Sequence, residues 1–224
     1  MDTDTFNIVC AARLQPDGVE EMVRRVVDHF ASASRPFSWW VAPGDLPGDL
    51  GPRLEKLGLP AAESAVAMSA ALDSGFDPGR WRKPWLRIER VTSPEQLAVF
   101  ARINAENWDP PDTVVEAYYR RGATELVSAA SPQRFFLASI GEQHVAAVET
   151  TLAAGVVGIY NLSTRAAHRN LGIGAAVLAG ALADARSAGY GTAVLQAAPA
   201  TPGLYGRLGF SDFGLIREHK PADL

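Results

Sequence analysis

The stretch Arg169-Asn170-Leu171-Gly172-Ile173-Gly174 decides how this chain is read. Before it, Val156 to Thr164 has the pattern of a strand; after it, about Gly174 to Ala188 reads as a helix ended by Gly189. A strand turning into a helix through such a bend leaves backbone N–H groups bare at the positive end of the helix dipole, where anionic phosphate binds. The two glycines let a pyrophosphate come close without a Cβ in the way. The alternative is an ordinary strand-to-helix turn, for which one glycine usually suffices. Competing phosphate signatures fail here. Gly-x-Gly-x-x-Gly would need glycine at Val177, and the chain has no Gly-Lys-Ser/Thr of a P-loop.

Working outward, strand Thr192 to Ala197 follows the helix, then a Pro- and Ala-rich loop, a short helix around Leu204 to Leu208 and a last strand, Phe210 to Arg217. Upstream, Phe135 to Ile140 turns through Gly141-Glu142 into His144 to Leu152, and Ala153-Ala154-Gly155 turns into Val156 to Thr164. Two short turns joining three strands predict an antiparallel meander. Before it lie strand Leu86 to Val91, a helix capped by Ser93 or Thr92 that carries Leu97, Phe100 and Ile103, and a helix over about Asp112 to Arg121. Gly and Pro crowd Asp73-Ser74-Gly75-Phe76-Asp77-Pro78-Gly79, which sets a domain boundary near residue 84, giving residues 1–84 and 85–224. The cationic run Arg80-Trp81-Arg82-Lys83-Pro84-Trp85 is read as a linker anchored by its tryptophans rather than as a nucleic-acid patch.

The first 72 residues echo the last 70 in register. Phe6 to Leu14 reads as a strand, and Pro16 to Ala31 as an amphipathic helix with Val19, Met22, Val23, Val26, Val27 and Phe30 apolar. Strand Phe37 to Val41, a short helix within Leu46 to Leu57, and strand Glu63 to Met68 complete the order. Leu57-Gly58-Leu59 matches Leu208-Gly209-Phe210, Leu54 stands opposite Tyr205, and Lys56 opposite Arg207. Pro16-Asp17-Gly18 occupies the place of the glycine-rich bend. The N-terminal piece thus reads as a half-domain without chemical groups, serving as packing surface.

Taken together, Tyr160-Asn161-Leu162-Ser163-Thr164, Arg169-x-x-Gly172-x-Gly174 and Leu204-Tyr205-Gly206-Arg207-Leu208-Gly209-Phe210 resemble the GNAT superfamily, the GCN5-related N-acetyltransferases. The resemblance covers about Leu86 to Arg217, and the N-terminal piece resembles the degenerate GNAT-like half-domain of some members. It implies an α/β (α+β) fold with a mixed, mostly antiparallel central sheet flanked by helices, and acetyl-CoA as co-substrate. Backbone groups of Leu162, Ser163 and Thr164 would pair with the pantetheine arm, and an N–H near Leu162 would polarise the thioester carbonyl. Arg169, Asn170, Leu171, Gly172, Ile173 and Gly174, with Ala175, would hold the pyrophosphate. Relatives commonly carry Asn or Ser where this chain has Ala198, so that contact is missing or comes from backbone or Gln196.

By the same resemblance Tyr205 would be the general acid for the CoA thiolate. Glu149, a carboxylate inside an apolar strand, is the candidate base for the acceptor amine; an arginine partner across the sheet is the alternative. Glu106, Asp109 and Asp112 flank Trp108 in the region that forms the acceptor side in relatives, or they belong to a solvated loop. Trp39 and Trp40 read as core of the half-domain, the alternative being the wall of an acceptor pocket. His144 reads as a surface residue near a hairpin turn, and His168, which adjoins the glycine-rich bend, as an exposed turn residue, the alternative being a contact to phosphate.

Composition sets the bounds. The chain has 224 residues, 47% apolar and 21% charged, which suits a globular protein. A net charge of −4 recommends neither nucleic acid nor an anionic membrane as partner. The single cysteine, Cys10, excludes an internal disulfide, and its distance in sequence from the candidate groups argues for direct transfer over an acyl-cysteine. No His, Cys and carboxylate spacing suggests a metal. The acidic start and the short uncharged run Leu171 to Ala183 predict a soluble, cytoplasmic protein, and the apolar half-domain would offer a homodimer surface. The expected activity is transfer of acetyl from acetyl-CoA to a primary amine. The alternative is a non-catalytic acyl-CoA-binding or sensing module.

Overall fold

The computed structural model describes residues 4–199 and 201–222. Its elements in chain order are β1 (Ile8–Val9), α1 (Val19–Ser32), β2 (Ser38–Val41), α2 (Leu50–Lys56), β3 (Ala61–Ala71), β4 (Arg87–Arg90), α3 (Pro94–Ala105), α4 (Thr113–Arg121), α5 (Ala123–Leu126), β5 (Gln133–Ile140), β6 (Gln143–Ala153), β7 (Val156–Thr164), α6 (Ile173–Ser187), β8 (Thr192–Ala197), α7 (Pro202–Arg207) and β9 (Ser211–His219). They form two compact units. The first takes in the chain up to Met68, residues 196–202 and the stretch from Asp212 onward; the second takes in residues 69–195 and 203–211.

In the first unit the strands run in the order β1-β2-β9-β3. Strands β1 and β2 are parallel, with Ile8 opposite Ser38 and Val9 opposite Trp39, so α1 is a crossover helix. The strand expected from Phe6 to Leu14 shrinks to two residues because Ala11 takes a positive φ of 56°. Arg13 rejoins only through a single bridge to Leu46. Helix α1 buries Val19 and Val23 and lays Met22, Val26, Val27 and Phe30 on a core of Phe37, Trp39, Leu50, Leu54 and Leu59. Full burial of Phe37, Leu50 and Leu54 stabilises by about 1.5–3 kcal/mol each. Trp39 is therefore core, and half-buried Trp40 donates its indole N–H to Ser38 Oγ. The other edge of β2 is taken by β9, antiparallel, with Trp39 opposite His219. That pairing draws a C-terminal strand into the unit.

In the second unit the order is β8-β7-β6-β5-β4, antiparallel except for the parallel pair β7 and β8. The meander turns where glycine allows left-handed backbone, at Gly141 (φ 58°) and at Ala154-Gly155 (φ 50° and 78°). Helices cover both faces. Phe135 and Leu137 point to α3, where they pack with Leu97, Phe100 and Ile103. Their neighbour Arg134 pairs with Asp184 of α6, since successive strand residues face opposite sides. Ser93 caps α3: its Oγ accepts the Gln96 N–H at 3.3 Å while Gln96 Oε1 accepts the Thr92 N–H at 2.9 Å. Asp112 caps α4 rather than lying within it, accepting the Val114 N–H at 2.8 Å. The short α5 has no clear signal in the sequence. The molecule thus has the mixed α/β architecture, with a mostly antiparallel sheet flanked by helices, that its sequence implies.

Candidate active site

Among the described residues, strands β7 and β8 pair only at Val157–Ala193, Gly158–Val194 and Ile159–Leu195. Beyond Ile159 no pairing joins them, although β7 continues to Thr164 and stays paired with β6 through Thr164 opposite Ala146. The cause is local. Between Ala147–Ser163 and Glu149–Tyr160 the register slips by one residue, and Asn161 takes a positive φ of 51°. An extra residue in one strand bends it and increases its twist, which turns β7 away from its parallel neighbour. Asparagine tolerates this left-handed backbone because its short amide bonds locally. Here Asn161 Nδ2 donates to Tyr119 Oη at 2.7 Å and to Glu149 Oε2 at 3.0 Å.

Of the residues expected along the pantetheine arm, Leu162 is half-buried and Ser163 is buried. Ser163 Oγ donates to Asn104 Oδ1 and accepts from Asn107 Nδ2, both at 2.6 Å, which ties the strand to the end of α3. Thr164 gives its carbonyl to Arg169 Nε at 3.0 Å, so the arginine that opens the bend is clamped to the strand before it.

The bend itself holds two left-handed residues, Asn170 (φ 64°) and Gly172 (φ 75°), with Leu171 between them 52% exposed. Gly172 is the N-cap of α6 and no side chain caps that helix. Ala176 makes the first bond back to Gly172, so the N–H groups of Ile173, Gly174 and Ala175 stand ahead of the ladder. The first turn of α6 carries no acidic residue to offset its positive end. A Cβ at Gly174 would lie 3.4 Å from Thr164 Oγ1, and one at Gly172 would be strained whatever the space. Successive uncapped amides at a helix start can bind a diphosphate.

Tyr205 lies on α7, half-buried, its ring edge-on to Phe210 at 6.1 Å. Its hydroxyl has no hydrogen-bond partner among the described residues. Burial raises its pKa above the ordinary phenol value, keeping it protonated and able to donate.

Glu149 is 5% exposed, and no arginine meets it. Its carboxylate accepts from Tyr119 Oη at 2.7 Å, Gln133 Nε2 at 2.8 Å and Asn161 Nδ2 at 3.0 Å. Burial, then the charge of Glu149, pushes the Tyr119 phenol far above its ordinary value. Tyr119 and Gln133 escape a sequence reading because nothing in their spacing points at Glu149. Asn161 left one trace, a polar residue in the middle of a strand.

The remaining candidates have structural partners. Glu106 pairs with Arg165 at 3.1 Å, and Asp112 is the helix cap. Asp109 and Trp108 are exposed. His144 is half-buried with Nδ1 at 2.8 Å from Ser139 Oγ, which corrects the surface reading. His168 is also half-buried, its Nδ1 without a partner among the described residues. Ala198 and Cys10 are exposed. No helix of the described residues is long and apolar enough to cross a membrane.

A family profile described as the Acetyltransferase (GNAT) family matches residues 98–210. Among solved structures, a GCN5-related N-acetyltransferase from Kribbella flavida is similar at 19% identity and a TM-score of 0.75, over 95% of this chain and 79% of that one. A functionally unknown conserved protein from Staphylococcus epidermidis ATCC 12228 is similar at 14% identity and 0.72, over 100% of this chain and 87% of that one. A tandem GNAT protein from the clavulanic acid biosynthesis pathway is similar at 12% identity and 0.67, over 92% and 70%. At these identities the likeness is one of fold. None of the curated proteins matches the chain.

Proposed function

Because the chain belongs to the GNAT acetyltransferase family, we propose that it moves an acetyl group from acetyl-CoA to a primary amine within a ternary complex. The observation that carries this reading is the bulge at Asn161. It ends the β7–β8 pairing at Ile159 and leaves strand edge beside a helix start with no acidic residue in its first turn. In the proposed reaction Leu162, Ser163 and Thr164 pair through their main chain with the pantetheine arm, and Arg169 to Ala175 hold the pyrophosphate. The amine nitrogen attacks the thioester carbon, an N–C bond forms and the C–S bond breaks. Tyr205 gives its proton to the departing thiolate, and the ammonium proton of the product leaves to a base. Holding both reactants in line supplies much of the acceleration.

Glu149 is the proposed base. Its three donors favour a second role for the same residue, that of a staple holding the bulge open. They also favour the rival in which the protein binds acyl-CoA without turnover. Incubation with acetyl-CoA and an amine panel, recording free thiol, tests the proposal. Thiol release with at least one amine is expected. CoA binding without release supports the rival, and no CoA binding at millimolar ligand overturns both. The Glu149→Gln variant separates base from staple, because loss of a base lowers kcat while CoA affinity holds, whereas loss of a staple weakens CoA binding.

A further inference from the structure

We propose that Lys83, on the segment ahead of β4, is a phosphate-binding residue of this site and grips the CoA diphosphate from outside the glycine-rich bend. The inference rests on the CoA reading above and adds a residue that the family profile, which begins at residue 98, does not reach. In sequence Lys83 belongs to a linker with no role beyond anchoring. Its placement is specific. Arg186 in the last turn of α6 donates to the carbonyls of Asp73 and Phe76, at 3.2 and 2.7 Å. The turn Pro78–Trp81, opened by the Asp77 carboxylate on the Gly79 N–H, packs against α6. The segment therefore follows α6 from its last turn back toward its first. A second turn, closed by the Leu86 N–H on the Lys83 carbonyl at 3.0 Å with Pro84 at its first corner, fixes the Lys83 backbone.

The Lys83 side chain then lies against the N-cap of α6. A methyl group at Gly172 would stand 3.5 Å from its Cε and 3.6 Å from its Nζ. The ammonium makes no ion pair among the described residues. A cation beside the positive end of a helix is electrostatically unfavourable by itself. Arg169 adds a second cation at the same bend, and the first turn of α6 offers no carboxylate. Three positive elements that converge without an anion become favourable once a diphosphate enters among them.

Calorimetry on the full chain tests this with two probes, coenzyme A and pantetheine, the second lacking the diphosphate. Lys83→Ala and Lys83→Met are each expected to weaken coenzyme A binding about tenfold at low salt. The gap from wild type should narrow as salt rises. Pantetheine binding should be unchanged, which also reports that the fold is intact, and Lys83→Arg should keep most of the affinity. Wild-type affinity for coenzyme A in both neutral variants overturns the role of Lys83 alone. Failure of the wild-type protein to bind either probe overturns the CoA reading beneath it.

Discussion

Two helices of this molecule, α1 and α6, each join a pair of parallel strands, yet their first turns differ in backbone and in charge. Helix α1 begins at Gly18 with ordinary right-handed backbone (φ −94°) and carries Glu20 and Glu21 in its first turn. Helix α6 begins at left-handed Gly172 and carries no acid there. The order β1-α1-β2-α2-β3 matches β7-α6-β8-α7-β9 element for element. In the first unit the protein supplies its own negative charge to the helix start, and β2 has both edges paired. In the second the helix start carries no such charge, and a bulge keeps part of β7 apart from β8. The proposed anion site would therefore be made as much by withholding two carboxylates as by supplying two glycines.

The comparison breaks most sharply at the second helix of each set. Tyr205→Phe should lower kcat about 10²-fold with little change in CoA affinity. Its counterpart Leu54, wholly buried, should cost about 2–5 kcal/mol of stability as Leu54→Ala and leave the affinity of the folded protein intact. The sign for pH follows from burial. A raised Tyr205 pKa keeps the phenol protonated, so its donor is lost only as pH rises through that raised value. Wild-type kcat should hold through the neutral and mildly alkaline range. A fall below pH about 9 that Tyr205→Phe abolishes would contradict this.

Next come the caps. Gly172→Val forces a branched side chain into left-handed backbone beside Lys83 and should weaken CoA binding about 10²-fold by calorimetry. Gly18→Ala, whose Cβ would meet only the Gln15 carbonyl at 3.6 Å, should leave CoA binding untouched. The smallest effects come from moving charge. Leu171→Glu, on an exposed position, gives the α6 bend a carboxylate and should weaken CoA binding about tenfold at low salt. Glu20→Gln removes one from α1 and should cost about 0.3–1 kcal/mol in a denaturant titration.

Much of this was legible from residue order. Strands β7 and β8 lie where their patterns put them, and α6 begins one residue ahead of its predicted start, because long apolar periodic runs bounded by glycine leave little choice. The strand from Phe6 was overestimated, since nothing in its pattern reveals that Ala11 turns left-handed. The bend before α6 was legible for a related reason: its shape is a matter of backbone, and glycine spacing reports backbone directly. The surroundings of Glu149 were not. Tyr119 and Gln133 reach it across 30 and 16 residues, and local pattern carries no record of such meetings.

The order of strands and helices, the family, and the two glycines that bare α6 were set by the chain itself, because periodicity and backbone freedom are properties of neighbouring residues. The slip at Asn161 that parts β7 from β8, the cluster that holds it, the recruitment of β9 to the N-terminal unit and the placing of Lys83 over Gly172 were settled only on folding. Each depends on groups far apart in sequence satisfying one another's hydrogen bonds or charges, and that condition exists only once the chain has packed.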